Sequence, residues 1–166
     1  AGSLPSTTIT EKVKIYEWKH AVKTENIKPG ISYKYYQPEK NINMISSFKT
    51  NLVSTGVADI ISVAKKQRID KFAFEFSGFI KIDIDAVYDF FTASDDGSKL
   101  FIDDEEVVDN DGDHGTVEKN GRVALKKGYH KIKVVYYDAA GDNDLKVLMQ
   151  PEAGKKEELS SSILYH

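Results

Sequence analysis

The stretch from Thr92 to Gly115 constrains the fold of this chain more than any other segment. It reads TASDDGSKLFIDDEEVVDNDGDHG, in which short aromatic and β-branched runs alternate with acidic pairs. Such runs favour β-strands, and Asp and Gly favour the tight turns that join strands. The segment therefore predicts strands separated by acidic turns, with the carboxylates of Asp95-Asp96 and Asp103-Asp104 held on a rigid sheet.

The rest of the second half of the chain has the same two-residue period. Phe72, Phe74 and Phe76 alternate with Ala73 and Glu75, as in a half-buried strand. Turn signals recur every ~8–12 residues, and no βαβ spacing is present. The predicted fold is all-β, an antiparallel sandwich or barrel. Further strands are predicted at Val87–Thr92, Asp144–Gln150 and Ser162–Tyr165. Two hairpins are predicted, one of Ser98–Ile102 and Glu106–Asp109 around Asp103-Asp104 and one of Arg122–Leu125 and Tyr129–Tyr137 across Lys127-Gly128.

Composition limits the function classes. The chain has 166 residues, which suits one domain, and no cysteine, so disulfides and thiolate chemistry are excluded. The 26 acidic and 23 basic residues give a net charge of −3, and the lysines are scattered, so no nucleic-acid partner is expected. No apolar run reaches the ~18 residues of a membrane span. Residues 1–27 are predicted to be a linker and N-terminal strap, and residues 28–166 the β-domain.

Asp95-Asp96 is the first candidate site. Two adjacent carboxylates suit a hard cation such as calcium, which takes oxygen ligands. The same letters, Asp-Asp-Gly-Ser, are also good β-turn chemistry, in which Asp bonds to nearby backbone amides and Gly97 takes a positive φ. Both interpretations remain open from the sequence.

A second acidic loop runs from Asp109 to Asp113. An EF-hand starting at Asp109 fails, because its sixth position is His114 rather than glycine and its twelfth is Asn120 rather than glutamate. The loop is either solvated or donates an oxygen, for example from Asp111, to a ligand beside Asp95-Asp96.

Enzyme chemistry has little support. His114 and His130 are not accompanied by a nucleophile motif or by metal-ligand spacing, and His130 lies in an alternating strand where packing explains it. A glycosidase needs two carboxylates facing each other across a cleft, whereas the carboxylates here cluster in turns. Aromatic residues could instead stack on sugars, although alternation places about half of each run in the core. The candidates are Trp18, Tyr33, Tyr35, Tyr36, Tyr136 and Tyr137, of which Trp18 is the one expected at an interface.

The motifs FEFSGFIKI, VYDFFTASDDGSKLFID, VVDNDGDHG and GRVALKKGYHKIKVVYYDAAG together resemble the protective-antigen fourteen-kilodalton module, the PA-fourteen domain. The resemblance runs from about Ile31 to the terminal Leu164-Tyr165-His166. It implies a β-sandwich with a jelly-roll-like barrel and Greek-key connections, of the kind appended to glycosidases, toxins and cell-surface adhesins. It is nearest to the form attached to bacterial exo-acting hydrolases such as β-N-acetylhexosaminidases.

The resemblance also implies a site. In the adhesin branch, two neighbouring aspartates joined by a cis peptide hold a calcium ion that chelates sugar hydroxyls, and Asp95-Asp96 are the matching positions. A second loop adds an asparagine and backbone carbonyls, for which Ala139–Asp144 and Asn143 are the counterparts. Gly97-Ser98 departs from the adhesin pattern and resembles the hydrolase-linked branch.

Two function classes follow. One is a non-catalytic module of a secreted, periplasmic or cell-surface glycoside hydrolase, which binds glycan through Asp95, Asp96, Asp111 and Asn143 with calcium as candidate cofactor, or shapes the neighbouring active site. The other is a structural interaction domain that packs on a catalytic domain without a ligand of its own.

Overall fold

A computed structural model of the protein describes residues 15–40, 43–47 and 51–166. In those residues it contains three short 3₁₀ turns and no α-helix, so the all-β prediction is confirmed, and no helix there could cross a membrane. The strands are β1 (Trp18–Lys19), β2 (Ile31–Tyr36), β3 (Leu52–Ala58), β4 (Phe72–Ile82), β5 (Ala86–Asp95), β6 (Ser98–Ile102), β7 (Glu105–Asn110), β8 (Val117–Leu125), β9 (Gly128–Asp138), β10 (Asp144–Pro151), β11 (Glu157–Glu158) and β12 (Leu164–Tyr165).

The strands form two facing sheets. Sheet A has the order β1-β8-β5-β10-β11, and sheet B has the order β3-β2-β4-β9-β6-β7, with β12 paired to β4. From β4 to β10 the chain crosses repeatedly between the sheets, so that β5 pairs with β8 and β10 rather than with its sequence neighbours. This is the Greek-key, jelly-roll-like sandwich that the resemblance implied.

The core lies between the two sheets. The alternation of phenylalanines with smaller or polar residues along β4 turns one face of this strand toward the core. Phe72, Phe74 and Phe76 are fully buried and face Tyr88 and Phe90 of the opposite sheet within one hydrophobic cluster. Burying these side chains supplies roughly 1.5–3 kcal/mol each. The opposite face of β4 is covered as well, since Ala73 packs with Tyr36, Val135 and Tyr137 in a second, smaller cluster. That second cluster lies under the acidic loops.

Most of the tyrosines that could have stacked on sugars belong to these clusters. Tyr35, Tyr36, Tyr136 and Tyr137 are buried, and Tyr33 packs edge-on against Phe74 with ring centroids 6.0 Å apart. Trp18 is 39% exposed. Of the proposed platforms, Trp18 is therefore the one with an accessible ring, although Lys126 Nζ lies 4.5 Å from its centroid.

The two predicted hairpins have different outcomes. Strands β6 and β7 pair across Asp103 and Asp104, as predicted. The φ values of 48° and 68° at these two residues are those of a type I′ turn. The predicted hairpin across Lys127-Gly128 is wrong, because β8 pairs in sheet A and β9 in sheet B. Gly128 does adopt a positive φ of 135°, but it turns the chain from one sheet to the other.

The described part of the N-terminal strap joins sheet A. Trp18 and Lys19 pair in parallel with Ala124 and Leu125, and Val22 N–H donates to the carbonyl of Tyr129 at 2.8 Å. Further along, Lys28 and His166 exchange two backbone hydrogen bonds of 2.9 Å, which close the sandwich. Residues 1–14, which contain most of the predicted linker, lie outside the described residues, as do residues 41–42 and 48–50.

His130 is a buried histidine that packing explains, as predicted. Its Nδ1 lies 2.7 Å from Asp103 Oδ2 and its Nε2 lies 2.8 Å from the carbonyl oxygen of Lys126, so both ring nitrogens face acceptors. Burial alone lowers the pKa of His130, but the hydrogen bonds to Asp103 and Lys126 outweigh burial, and the pKa is raised.

We expect this histidine to make stability depend on pH. The folded protein holds the proton on His130 more tightly than the unfolded chain does. The contribution of His130 to the free energy of unfolding is therefore complete below about pH 6.5 and is lost as the pH rises through the raised pKa. Urea unfolding from about pH 5.5 to 9 should show the stability gap between wild type and His130→Gln shrinking by on the order of 1 kcal/mol as the pH rises. The exposed His20→Gln is the control, and a gap that stays constant with pH would contradict the assignment.

Candidate functional site

Three chain segments meet where β5 ends. They are the Asp95-Asp96-Gly97 connection to β6, the loop of residues 111–116 between β7 and β8, and the loop of residues 139–143 between β9 and β10. The peptide bond between Asp95 and Asp96 is cis, as the resemblance implied. Asp95 is 8% exposed and Asp96 only 2%, so the pair lies at the base of the loops rather than at their tips.

Asp96 ties the two neighbouring loops together. Its Oδ1 accepts the backbone N–H of His114 at 3.0 Å, and its Oδ2 accepts that of Ala139 at 2.8 Å. Burial raises the pKa of Asp96, these two amides lower it, and the nearby carboxylate of Asp113 raises it again, so that the balance is upward. Asp96 is thus a structural anchor as well as a candidate ligand.

Asp95 has a different environment. Its backbone carbonyl accepts the hydroxyl of Tyr136 at 2.5 Å, which fixes the main chain of the pair. Its carboxylate accepts no hydrogen bond from residues 15–40, 43–47 and 51–166, and Oδ2 lies 3.8 Å from the position that a Cβ on Gly115 would take. Of the two carboxylates, that of Asp95 is the one not committed to the fold.

The turn interpretation of this sequence needs one correction. Gly97 does not take the positive φ expected of it; the glycines that do are elsewhere. Gly97 is required for space instead, because an added Cβ would stand 2.4 Å from Cε1 of Tyr137 and 3.1 Å from Oδ1 of Asp111. The ring of Tyr137 therefore lies directly against the backbone of the acidic connection.

A buried hydrogen-bond network, which sequence reasoning missed, flanks the Asp95-Asp96 pair. Ser94 Oγ and Ser98 Oγ are 2.7 Å apart, and Asn110 Nδ2 donates to Ser94 Oγ at 3.1 Å and to the carbonyl of Val117 at 2.9 Å. All three side chains are fully buried. The available signal was two serines flanking the acidic pair, since a buried hydroxyl needs a partner.

Asp111 lies at the site, but its carboxylate is used within the protein. Oδ1 accepts the backbone N–H of Ile45 at 2.9 Å and that of Gly112 at 3.0 Å. Asp111 therefore connects the β7–β8 loop to residues 43–47. Its role in ligand binding stays a prediction.

Asn143 lies in the third loop, next to Asp144, which pairs with Asp95 across β10 and β5, and both ends of its amide are engaged. Oδ1 accepts Lys66 Nζ, and Nδ2 donates to the carbonyl of Ile69 at 3.2 Å. Neither Lys66 nor this contact was foreseen from the sequence. The metal-ligand role of Asn143 also stays a prediction.

Asp138 is a further residue that sequence reasoning missed. It is fully buried at the end of β9, where Oδ2 accepts the backbone N–H of Lys71 at 3.1 Å and Oδ1 has no partner among the described residues. Burial raises the pKa of Asp138 to about 7, and the charge of Asp96 acts in the same direction. Burial and neighbouring carboxyl groups thus raise the pKa of both Asp96 and Asp138 and favour their protonated forms.

The donor set fits a hard cation in kind. It consists of carboxylate, amide and carbonyl oxygens, and the buried Oδ1 of Asp138 has no hydrogen-bond partner among the described residues. Among the described residues, however, no three carboxylate or imidazole side chains converge at metal-ligand spacing. An ion held by Asp95 and Asp96 would therefore draw its remaining ligands from neutral oxygens, such as the amide of Asn143 and backbone carbonyls.

Comparison with known proteins agrees with this architecture. The chain is 29% identical over 138 residues to the probable beta-glucosidase I of Neosartorya fischeri, and the matched region covers 75% of this chain but only 16% of that relative. The fold superposes on the PA14 domain of the antifreeze protein MpAFP with a TM-score of 0.73, 19% identity and coverage of 87% and 94% of the two chains. It superposes on the PA14 sugar-binding domain of an RTX adhesin with a TM-score of 0.71, 16% identity and coverage of 83% and 98%.

The family assignment rests on the sequence itself. The profile of the PA14 domain family matches residues 27–162. That span contains both sheets apart from β1 and β12, and all three loops of the site. This chain belongs to the PA14 domain family.

Proposed function

We propose that this chain is a non-catalytic, glycan-binding accessory module of a larger glycoside hydrolase, and that it contacts sugar through a calcium ion held by Asp95 and Asp96. The observation that carries the proposal is the carboxylate of Asp95, which is committed to no hydrogen bond in the described fold and stands beside the cis-linked Asp96 where three loops meet. A second observation in its favour is that the fold is similar to that of the PA14 sugar-binding domain of an RTX adhesin.

The mechanism is one of proximity. Calcium, when bound, would supply a centre that accepts sugar hydroxyl oxygens as additional ligands. The chain's own contribution is to fix the two carboxylates: Tyr136 holds the backbone of Asp95, and the amides of His114 and Ala139 orient Asp96. A tethered binding site raises the effective concentration of the polysaccharide at the catalytic domain.

The parent protein is part of the proposal. The curated relatives are named as beta-glucosidases and are several times longer than the region they share with this chain. We infer a glycoside hydrolase parent in a secreted, periplasmic or cell-surface location; the narrower β-N-acetylhexosaminidase parent stays a prediction from the sequence resemblance.

Asp95→Asn provides the test of calcium binding, because it removes a charge without breaking a described hydrogen bond. In wild type, about 5 mM calcium should raise the melting temperature by about 3–8 °C relative to EDTA, and Asp95→Asn should abolish the rise. Asp104→Asn, the same chemical change at the far end of β6, should keep the calcium-dependent rise in melting temperature. Binding to a glycan array should likewise be lost in Asp95→Asn and kept in Asp104→Asn.

A second function, the structural interaction domain, has its own supporting observation. Trp18, Ile84 and Pro151 line an apolar groove of about 410 Å³ at the other end of the β5 strand, and Ile84 is 57% exposed. If wild type shows no thermal shift with calcium and no retention on a glycan array, the binding proposal is refuted and packing of this groove on a catalytic domain becomes the better explanation.

A further inference from the structure

A groove on the outer face of sheet B lies where β4 changes its partner. Strand β2 pairs with β4 as far as Ser77, and β12 pairs with it from Phe79. The groove has a volume of about 360 Å³, which is within the range of small-molecule sites. Its lining includes Asp104, at the opposite end of β6 from Asp95-Asp96, so it is separate from the acidic loops.

Three polar side chains form a row across this groove. Ser32 is directly opposite Ser77 in the pairing of β2 with β4, and Ser77 is directly opposite Lys133 in the pairing of β4 with β9. Directly paired residues project from the same face of a sheet, with their Cβ atoms about 4.5–5.5 Å apart. Backbone pairing therefore fixes the row, and its side chains are close enough together to contact one small ligand.

The polar groups of this row are not used by the fold. Neither serine hydroxyl makes a hydrogen bond within the described part of the chain, and no carboxylate there lies within ion-pair distance of the Lys133 ammonium. All three side chains are half-buried. Lys133 Nζ stands 4.1 Å from the centroid of the Phe101 ring, which positions the ammonium without neutralising its charge.

The charge of the groove favours an anion. Lys131 Nζ binds Asp104 Oδ2 at 2.8 Å, so this lysine and this carboxylate neutralise each other. No second acidic side chain is found among the described lining residues, which leaves the ammonium of Lys133 without a counter-ion. A half-buried charge is stabilised when a ligand of opposite charge pairs with it.

We propose that this groove is a second ligand site and that it binds the carboxylate of an acidic sugar. The hydroxyls of Ser32 and Ser77 donate to the carboxylate oxygens, and Lys133 supplies the single positive charge that a monoanion needs. Phe79, two residues along β4 on the same face, offers an apolar surface to the sugar ring. The choice of a sugar as carrier rests on the proposed glycan-binding function, but the site needs no calcium.

Titration with glucuronic acid in EDTA, followed by NMR of the backbone amides, tests the inference. The amide signals of Ser32, Ser77 and Lys133 should shift together, and glucose, which lacks the carboxylate, should bind at least about tenfold more weakly. Lys133→Met should weaken glucuronate binding about tenfold or more, because it removes the charge and keeps an apolar stem.

Two further variants are the controls. Lys146→Met deletes the same charge on sheet A, and its affinity should stay within about twofold of wild type. Lys133→Arg keeps the charge and should retain binding, which separates loss of the charge from disturbance of the sheet. Equal losses in Lys133→Met and Lys146→Met would overturn the role of Lys133.

The other outcomes separate this site from the calcium site. Because EDTA is present, Asp95→Asn should bind glucuronate as wild type does, whether or not the protein binds calcium. Equal binding of glucuronate and glucose overturns the role of the carboxylate. Acetate or inorganic phosphate that binds as tightly as glucuronate overturns the assignment to a sugar. No shift at about 50 mM glucuronate refutes the groove as a ligand site and leaves the proposed calcium-dependent function standing.

Discussion

Replacing Gly121 with alanine is expected to lower the free energy of unfolding by about 3 kcal/mol or more. An added Cβ would stand 1.6 Å from the carbonyl oxygen of Val107 and 2.6 Å from its carbonyl carbon, and backbone atoms cannot rotate away as a side chain can. Val107 is the extra residue where the β6–β7 register shifts, from Leu100 opposite Val108 to Phe101 opposite Glu106. The bulge thus brings sheet B against sheet A at the glycine.

Urea unfolding measures this effect, with Gly115→Ala as the control. At Gly115 the nearest atom to an added Cβ is 3.8 Å away, an ordinary contact, so the variant should stay within about 1 kcal/mol of wild type. If the two variants unfold at the same urea concentration, the close approach of β7 to β8 is wrong.

Asp96→Ala is expected to cost about 2–4 kcal/mol even in EDTA, where no calcium contributes. The variant leaves the amides of His114 and Ala139 without their acceptor and releases two loops from each other. Loss of a carboxylate from a crowded acidic site offsets part of this cost, since the pKa of Asp96 is already raised. Hydrogen exchange should accelerate at both amides, and the melting temperature should fall.

Asp95→Asn distinguishes structure from binding in the same experiment. Because the Asp95 carboxylate accepts no hydrogen bond from the described residues, this variant should keep wild-type exchange rates at His114 and Ala139 while losing the calcium response. Equal exchange in Asp96→Ala and Asp95→Asn would show that Asp96 does not anchor the loops.

Local pattern predicts the strands of this protein well and their partners poorly. Alternation identifies β4, because Phe72, Phe74 and Phe76 need one common face, and acidic turn chemistry identifies the β6–β7 hairpin. The error at Lys127-Gly128 is of another kind. A glycine with positive φ indicates only that the chain turns. Whether the next strand pairs with the previous one or joins the other sheet depends on β4 and β5, which are far away in sequence.

The same limit applies to the candidate site. Asp95 and Asp96 are adjacent in the chain, so a sequence motif can mark them, and the cis peptide between them agrees with the resemblance. Asp138, and Lys66 within electrostatic range of it, come from two other segments, and neither carries a local signal. Asn143 could be named in advance, but the lysine that holds its amide lies 77 residues away and only the folded chain brings the two together.

The attachment of the N-terminal strap has a mechanical consequence. Trp18 and Lys19 form a two-residue parallel pair at the edge of sheet A, while Lys28 and His166 close the sandwich independently through their own backbone bonds. Tension applied at the strap would have to break the short pair with β8 and the hydrogen bond from Val22 to Tyr129 before it loads the closure at Lys28. The roughly nine residues between these points could then span at most about 30 Å. A strap attached in this way can lengthen under load while the pairing within both sheets stays intact.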